Sequence, residues 1–243
     1  MKIRALSVRC AKEMIRDPLN LFFGIGFPTV LLLLLSAIQA NIPVSLFEIE
    51  RLTPGVSVFG LCFISLFCAL TVSRDRESSL LQRLYTAPVG AFHFIMGYFI
   101  PMIPLSLLQT LFCYLVGSML GLDVTVGIVL ATVFNIPATV MFISIGILFG
   151  SILTSKQAGA ICGAVLTNFS AWLSGIWFDI SLVGGAFEKI ANVLPFVHAV
   201  ELSRAAYLCD IQNALSHLIT VISYSLILFA AAVFLFFKQM RKC

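Results

Sequence analysis

Charge is what this chain has least of. Lys, Arg, Asp and Glu make up 11% of its 243 residues, against 60% hydrophobic, whereas a soluble domain carries roughly a quarter charged residues. The mean hydropathy is +1.06. That is far more apolar residue than one water-soluble core can hide, so the bilayer is the expected solvent. No polar stretch is long enough to fold apart from it, and one membrane domain over 1–243 is expected. The net charge of +4 does not mark a nucleic-acid binder, because the basic residues lie in short clusters between apolar runs, as topology signals do.

Chemistry is scarce as well. The seven cysteines include no CxxC pair and no regular spacing, which argues against a zinc site or a disulfide framework. Cys62, Cys68, Cys113 and Cys162 fall inside apolar runs, where a thiol acts as a small hydrophobe. No GxxxxGK[ST] phosphate loop and no HExxH signature occur, and Ser174 in AWLSG lacks the GxSxG elbow. His93, His198 and His217 lie at or beyond the ends of the apolar runs. An enzyme is not expected, nor a cofactor or metal in this chain. Ionisable groups are missing from the runs, where only neutral Gln109, Asn135 and Asn168 and scattered Ser and Thr stand. Ion-coupled transporters generally need an ionisable group at membrane depth. Backbone carbonyls at broken helices can still bind Na⁺, so an ion-coupled secondary transporter or a channel remains the alternative to a transporter powered from outside the membrane.

What is present is six apolar segments, at about 19–38, 54–72, 94–120, 126–151, 157–178 and 216–237. A span needs roughly 20 residues, and backbone facing lipid must be helical. The fold class is therefore an all-α membrane protein with six transmembrane helices. Pro101, Pro104 and Pro137 mark places where the third and fourth can tilt or kink. With the N-terminus inside, twelve Lys and Arg fall on the inner side and only Arg51, Lys189 and Arg204 on the outer. That bias places both ends in the cytoplasm. The first apolar run is longer than a signal-peptide core and follows a long basic stretch, so an uncleaved anchor is expected.

Three connections add detail. Residues 2–16 put Ile3, Leu6, Cys10 and Met14 on one helical face opposite Arg9, Lys12 and Arg16, an amphipathic helix suited to the inner interface. Asp17-Pro18 then reads as an N-cap and first-turn proline. The loop RDRESSLLQRLYTAPVG at 74–90 sets Leu80, Leu81 and Leu84 beside Arg76, Glu77, Gln82 and Arg83. Periodicity alone favours a surface helix in the headgroups over a docking helix for a cytoplasmic partner. The 179–215 connection is apolar for an outer loop, and its pieces on either side of Pro195 are too short to span. They are expected as re-entrant or interfacial helices before the last span. His198, Glu201 and Arg204 form a polar stripe there at every third residue, better read as a polar lining or an ion pair than as a metal site.

Within the spans, Gly146 and Gly150, and then Gly159 and Gly163, permit close helix contact, inside one copy or across a dimer seam. Phe59, Phe63 and Phe67 line one face of the second span, and Asn168 and Trp172 one face of the fifth. Packing or lipid contact is the commoner role for such stripes, and a substrate path the sharper one.

The chain resembles the ABC-2 type transporter permeases, the membrane subunits of one class of ATP-binding-cassette exporters. The resemblance is carried by RDP (Arg16, Asp17, Pro18) ahead of the first span and by Arg76-Glu77 followed by Leu81, Leu84 and Pro88-Val89 after the second. LPFVHAVELSRAAY at 194–207 adds to it before the last span. Two details depart from the family pattern. Ser78 follows Glu77 where Gly is frequent, and WFDIS stands at 177–181 where a proline-containing turn is frequent. The resemblance implies a connecting helix at 2–16 and a coupling helix near 74–86, with Arg74, Asp75, Arg76, Glu77, Leu80, Leu81 and Leu84 as the ATPase-coupling residues. It further implies a separate ATP-binding-cassette ATPase subunit carrying ATP and Mg. A second permease copy, homodimeric or paralogous, would sit in the cytoplasmic (inner) membrane of a prokaryote, among membrane lipids. Twenty-two Phe against two Trp suits an apolar cargo (drug, antimicrobial peptide or lipid) better than a polysaccharide. An assembly or immunity factor without transport would share the architecture.

Overall fold

The structure, a computed structural model, describes residues 2–43, 45–78 and 91–240. Among the described residues all regular structure is helical. Helix α1 spans Lys2–Arg16, α2 Pro18–Gln39, α3 Ile49–Glu77, α4 Ala91–Met119 and α5 Val126–Ile152. Helix α6 covers 155–173. Short helices α7 (Ile180–Val183), α8 (Gly185–Val193) and α9 (Pro195–Tyr207) lead to α10 (Ile211–Met240). Among the described residues five helices are long and apolar enough to cross a membrane: α2, α3, α4, α5 and α10.

The segment expected as a span at 157–178 is the exception. Its helix ends at Leu173, because Ser174 and Gly175 leave it and Gly175 takes the left-handed φ of +70° that glycine adopts without strain. It also contains a π-helical stretch, Ile161–Leu166, and its first turn carries Lys156 and Gln157. The last span begins earlier than expected, at Ile211. Pro101, Pro104 and Pro137 all sit inside helices that run on through them.

Local chemistry explains several ends. Asp17 caps α2, its Oδ1 accepting from the Asn20 N–H at 3.2 Å and its Oδ2 from Asn20 Nδ2 at 2.8 Å, with Pro18 in the first turn. Thr154 and Gln157 form a reciprocal capping box that starts α6.

Helix α3 is the hub. Twenty of its 29 residues are buried, and it packs against α2, α4, α5, α6 and α9. Its seam with α5 brings the two backbones close. A Cβ at Gly146 would stand 2.4 Å from the Ser65 carbonyl oxygen, and one at Gly150 would stand 2.7 Å from that of Ala69. Those two glycines serve packing within one copy, letting two backbones meet where dispersion contacts must do the work that water exclusion does elsewhere. Gly159 and Gly163 meet Leu70 and Leu66 at ordinary distances of 3.6 and 3.5 Å. The outer surface of the bundle is apolar: Leu33 and Leu34 on α2 and Leu226, Ile227 and Phe234 on α10 are exposed, as lipid-facing positions are.

The apolar face of α1 differs from the expectation. Cys10 and Met14 are buried and Leu6 half-buried, packed on α4, where Gly97 makes room: a Cβ there would lie 2.4 Å from Leu6 Cδ2. The face that periodicity offered to lipid is taken by the neighbouring helix instead.

Candidate functional site

The C-terminal end of α3 gathers charges from most of its neighbours. Asp75, with 6% of its side chain exposed, accepts from Arg9 of α1, through Nη1 at 3.0 Å and through a closer Nη2 contact. It also accepts from the Tyr98 hydroxyl of α4 at 2.7 Å. Arg9 turns back to Glu13, with Nη2 2.9 Å from Oε1. Arg74 points to the α1–α2 corner, its Nη1 3.8 Å from Asp17 Oδ2. Arg76 donates to the last carbonyls of α5, to Ser151 at 2.6 Å and to Leu153, a cation placed at the negative end of a helix. Glu77 does the converse at the start of α6, accepting from the Ser155 N–H at 2.7 Å and from its hydroxyl at 2.6 Å.

Four consecutive residues thus tie α3 to α1, the α1–α2 corner, α4, α5 and α6. The electrostatics follow from burial and pairing. Burial pulls the Arg9 guanidinium's pKa down, but the bonds and charges of Asp75 and Glu13 outweigh it, so Arg9 ends above its ordinary value. Burial, with Asp75 nearby, pushes the Cys10 thiol up to about 12, which leaves it protonated and unreactive near neutrality. Leu80, Leu81 and Leu84 lie outside the described residues. Arg74, Asp75, Arg76 and Glu77 stand immediately before that stretch.

The opposite end of α3 carries a second polar site. Arg204 is buried and donates three ways: Nη1 to Glu201 Oε1 at 2.7 Å, Nε to the Arg51 carbonyl at 3.1 Å and Nη2 to the Gly175 carbonyl at 3.0 Å. A cleft of about 380 Å³ beside it is lined by Arg51, Asp179, Glu188 and Glu201 among others. His198, in the same helix, bonds away from Glu201 and Arg204. Its Nε2–H must donate to the Asn192 carbonyl at 2.9 Å, since a carbonyl only accepts. In the neutral ring its Nδ1 then accepts from the His217 Nδ1–H at 2.9 Å. Among the described residues no three His, Cys, Asp or Glu side chains converge to hold a metal ion.

The aromatic stripes separate. Phe59, Phe63 and Phe67 are buried. Phe63 contacts Phe23 and Phe27 of α2, Phe59 contacts Trp177, and Phe67 underlies Gly24. Asn168 and Trp172 lie on an exposed face of α6, with Asn168 bonded to its own helix at Ala164 and Trp172 against Phe178.

Tyr98, Ser151 and Ser155 were not singled out by sequence, and neither was the bond between Arg9 and Asp75. Only the capping box had a readable signal, the TSKQ spacing at 154–157.

Apolar spanning helices around one buried helix, with charges confined to its two ends, define a multi-pass membrane protein. A profile of the ABC-2 type transporter family matches residues 1–208, and the chain belongs to that family. Over 126 residues it is 32% identical to a protein named transport permease ycf38 of Porphyra purpurea and 31% identical to its namesake in Pyropia yezoensis. Each match covers 49% of this chain and 43% of the relative, so the matched stretch spans less than half the length of these relatives.

Proposed function

We propose that this chain is the permease subunit of an ATP-driven ABC-2 type exporter. It crosses the cytoplasmic membrane of a prokaryote six times with both ends in the cytoplasm, and α6 completes the six. It works as a pair, homodimeric or with a paralogue, on a hydrophobic or amphipathic cargo, with ATP and Mg held by a separate ATPase subunit. The family membership carries the reading. The junction at the end of α3 supports it further: a push delivered at 79–90 would reach α1, α4, α5 and α6 together through Arg74, Asp75, Arg76 and Glu77. In this reading the ATPase contact lies on Leu80, Leu81 and Leu84, and Arg16, Asp17 and Pro18 turn the connecting helix into the first span. Phe59, Phe63 and Phe67 act from within one copy, and Asn168 and Trp172 face outward, where a second copy or lipid would meet them.

Two experiments test this. Affinity purification of the tagged chain from its native membrane should bring down a soluble protein with a phosphate-binding loop. In liposomes, Leu84→Ser and the double change Glu77→Gln with Leu84→Ser should lower substrate-stimulated ATP hydrolysis and export together while leaving insertion intact. Survival of both activities in the double variant sinks the coupling assignment.

A further inference from the structure

A cleft of about 460 Å³ opens where α1 turns into α2 beside the C-terminal end of α3, with Glu13, Arg16, Asp17, Thr71 and Arg74 among its walls. Its charges are unequally occupied. Arg16 is exposed and has no carboxylate partner among the described residues. The side chain of Arg74 is 60% exposed, and its nearest carboxylate oxygen, on Asp17, is 3.8 Å away, too far for a hydrogen bond. Glu13 is 49% exposed and accepts three bonds from Arg9, two on Oε1 and one on Oε2, which leaves a lone pair of Oε2 open. Two available guanidinium groups and a carboxylate oxygen with room for one more donor in one cleft match a ligand carrying both signs of charge.

The surroundings add a hydrocarbon requirement. Ile15, Leu19 and Phe22 are exposed on the same corner, continuous with the apolar outer surface of α2. Guanidinium groups suit phosphate oxygens. A carboxylate suits an ammonium that has N–H groups to donate, while a quaternary ammonium is recognised by aromatic cages. None of the residues lining the cleft is aromatic.

We propose that this cleft seats the headgroup of a phospholipid with a primary ammonium, of the phosphoethanolamine type. Its phosphate lies between Arg16 and Arg74, its ammonium on Glu13, and its acyl chains run along Leu19 and Phe22. The assignment rests on the reading that puts the α1–α2 corner at the inner membrane interface. The lipid then pins the corner whose other side is held by the Asp75 junction, so it bears on the same joint.

The test is native mass spectrometry of the full chain after exchange into micelles holding equal amounts of phosphatidylethanolamine, phosphatidylcholine and phosphatidylglycerol. Phosphatidylethanolamine should be retained over the other two by about two- to fivefold, the range one exposed ion pair commands. Arg16→Gln should lower retention of phosphatidylethanolamine and phosphatidylglycerol alike, and Glu13→Gln should erase the preference between them. Both side chains are exposed, and unchanged thermal unfolding in detergent verifies the fold. Equal retention of the three lipids overturns the proposal, as does a preference that survives Glu13→Gln. Displacement by soluble phosphoethanolamine at the lipid's own concentration overturns it too, because that solute lacks the hydrocarbon. No ATPase is needed, so failure here leaves the permease reading standing. Labelling of Lys12→Cys from outside intact cells would instead overturn the topology beneath both.

Discussion

Arg204, against the N-terminal half of α3, and Asp75, near its C-terminal end, are the two charged side chains buried among the described residues, and their partners differ in kind. Two of the three bonds from Arg204 go to backbone carbonyls, of Arg51 and Gly175. Those groups cannot leave without unwinding the chain. Asp75 is bound entirely by side chains, Arg9 and Tyr98, which can change rotamer or partner, and Arg9 already has an alternative in Glu13. The contacts of Arg204 are therefore fastened and those of Asp75 latched, although beside Asp75 the backbone groups of Ser151, Leu153 and Ser155 also hold Arg76 and Glu77.

The sharpest way to break this comparison is Arg204→Met. It strands two carbonyls and the Glu201 carboxylate, and should cost about 3–5 kcal/mol in detergent unfolding, as losing one partner of a buried charge does. Next comes the seam between the two ends. Gly146→Ala drives a methyl group onto the Ser65 carbonyl and should cost about 1–3 kcal/mol by overpacking. Gly159→Ala, with its open contact, should gain up to about 1 kcal/mol in helix propensity. Asp75→Asn should cost about 2 kcal/mol through its weakened bonds to charged Arg9, and most of that loss should vanish in an Arg9→Gln background, as unfolding of the four members of the cycle would show. If the loss instead persists undiminished, the latch does not run through Arg9. Arg74→Gln should change stability by less than about 0.5 kcal/mol, since its contact with Asp17 is long and exposed. A larger effect would mean that the corner is fastened as Arg204 is.

The all-helical fold class, the starts of α1 and α2 and most span positions were legible because they obey local rules: hydropathy over twenty residues, a helical apolar stripe, an Asp-Pro cap. The fifth apolar run misled at its end because hydropathy does not register Gly175 adopting a left-handed turn. The partner of His198 was not legible because a three-residue period only says which face of α9 it occupies. That partner, His217, comes from another helix nineteen residues on.

By itself the sequence determined that this chain crosses a membrane as helices, since a chain so poor in charge and so rich in apolar runs has no other way to satisfy its backbone. It also determined the family, and with it the interest of residues 74–90. Tertiary structure alone decided that α1 lays its apolar face on α4, that Gly146 and Gly150 meet α3, and that Asp75 closes on Arg9 sixty-six residues away. The reason is physical. Local rules act along one helix, whereas which side chains meet across helices depends on how close two backbones come, and that is settled only when the whole bundle packs.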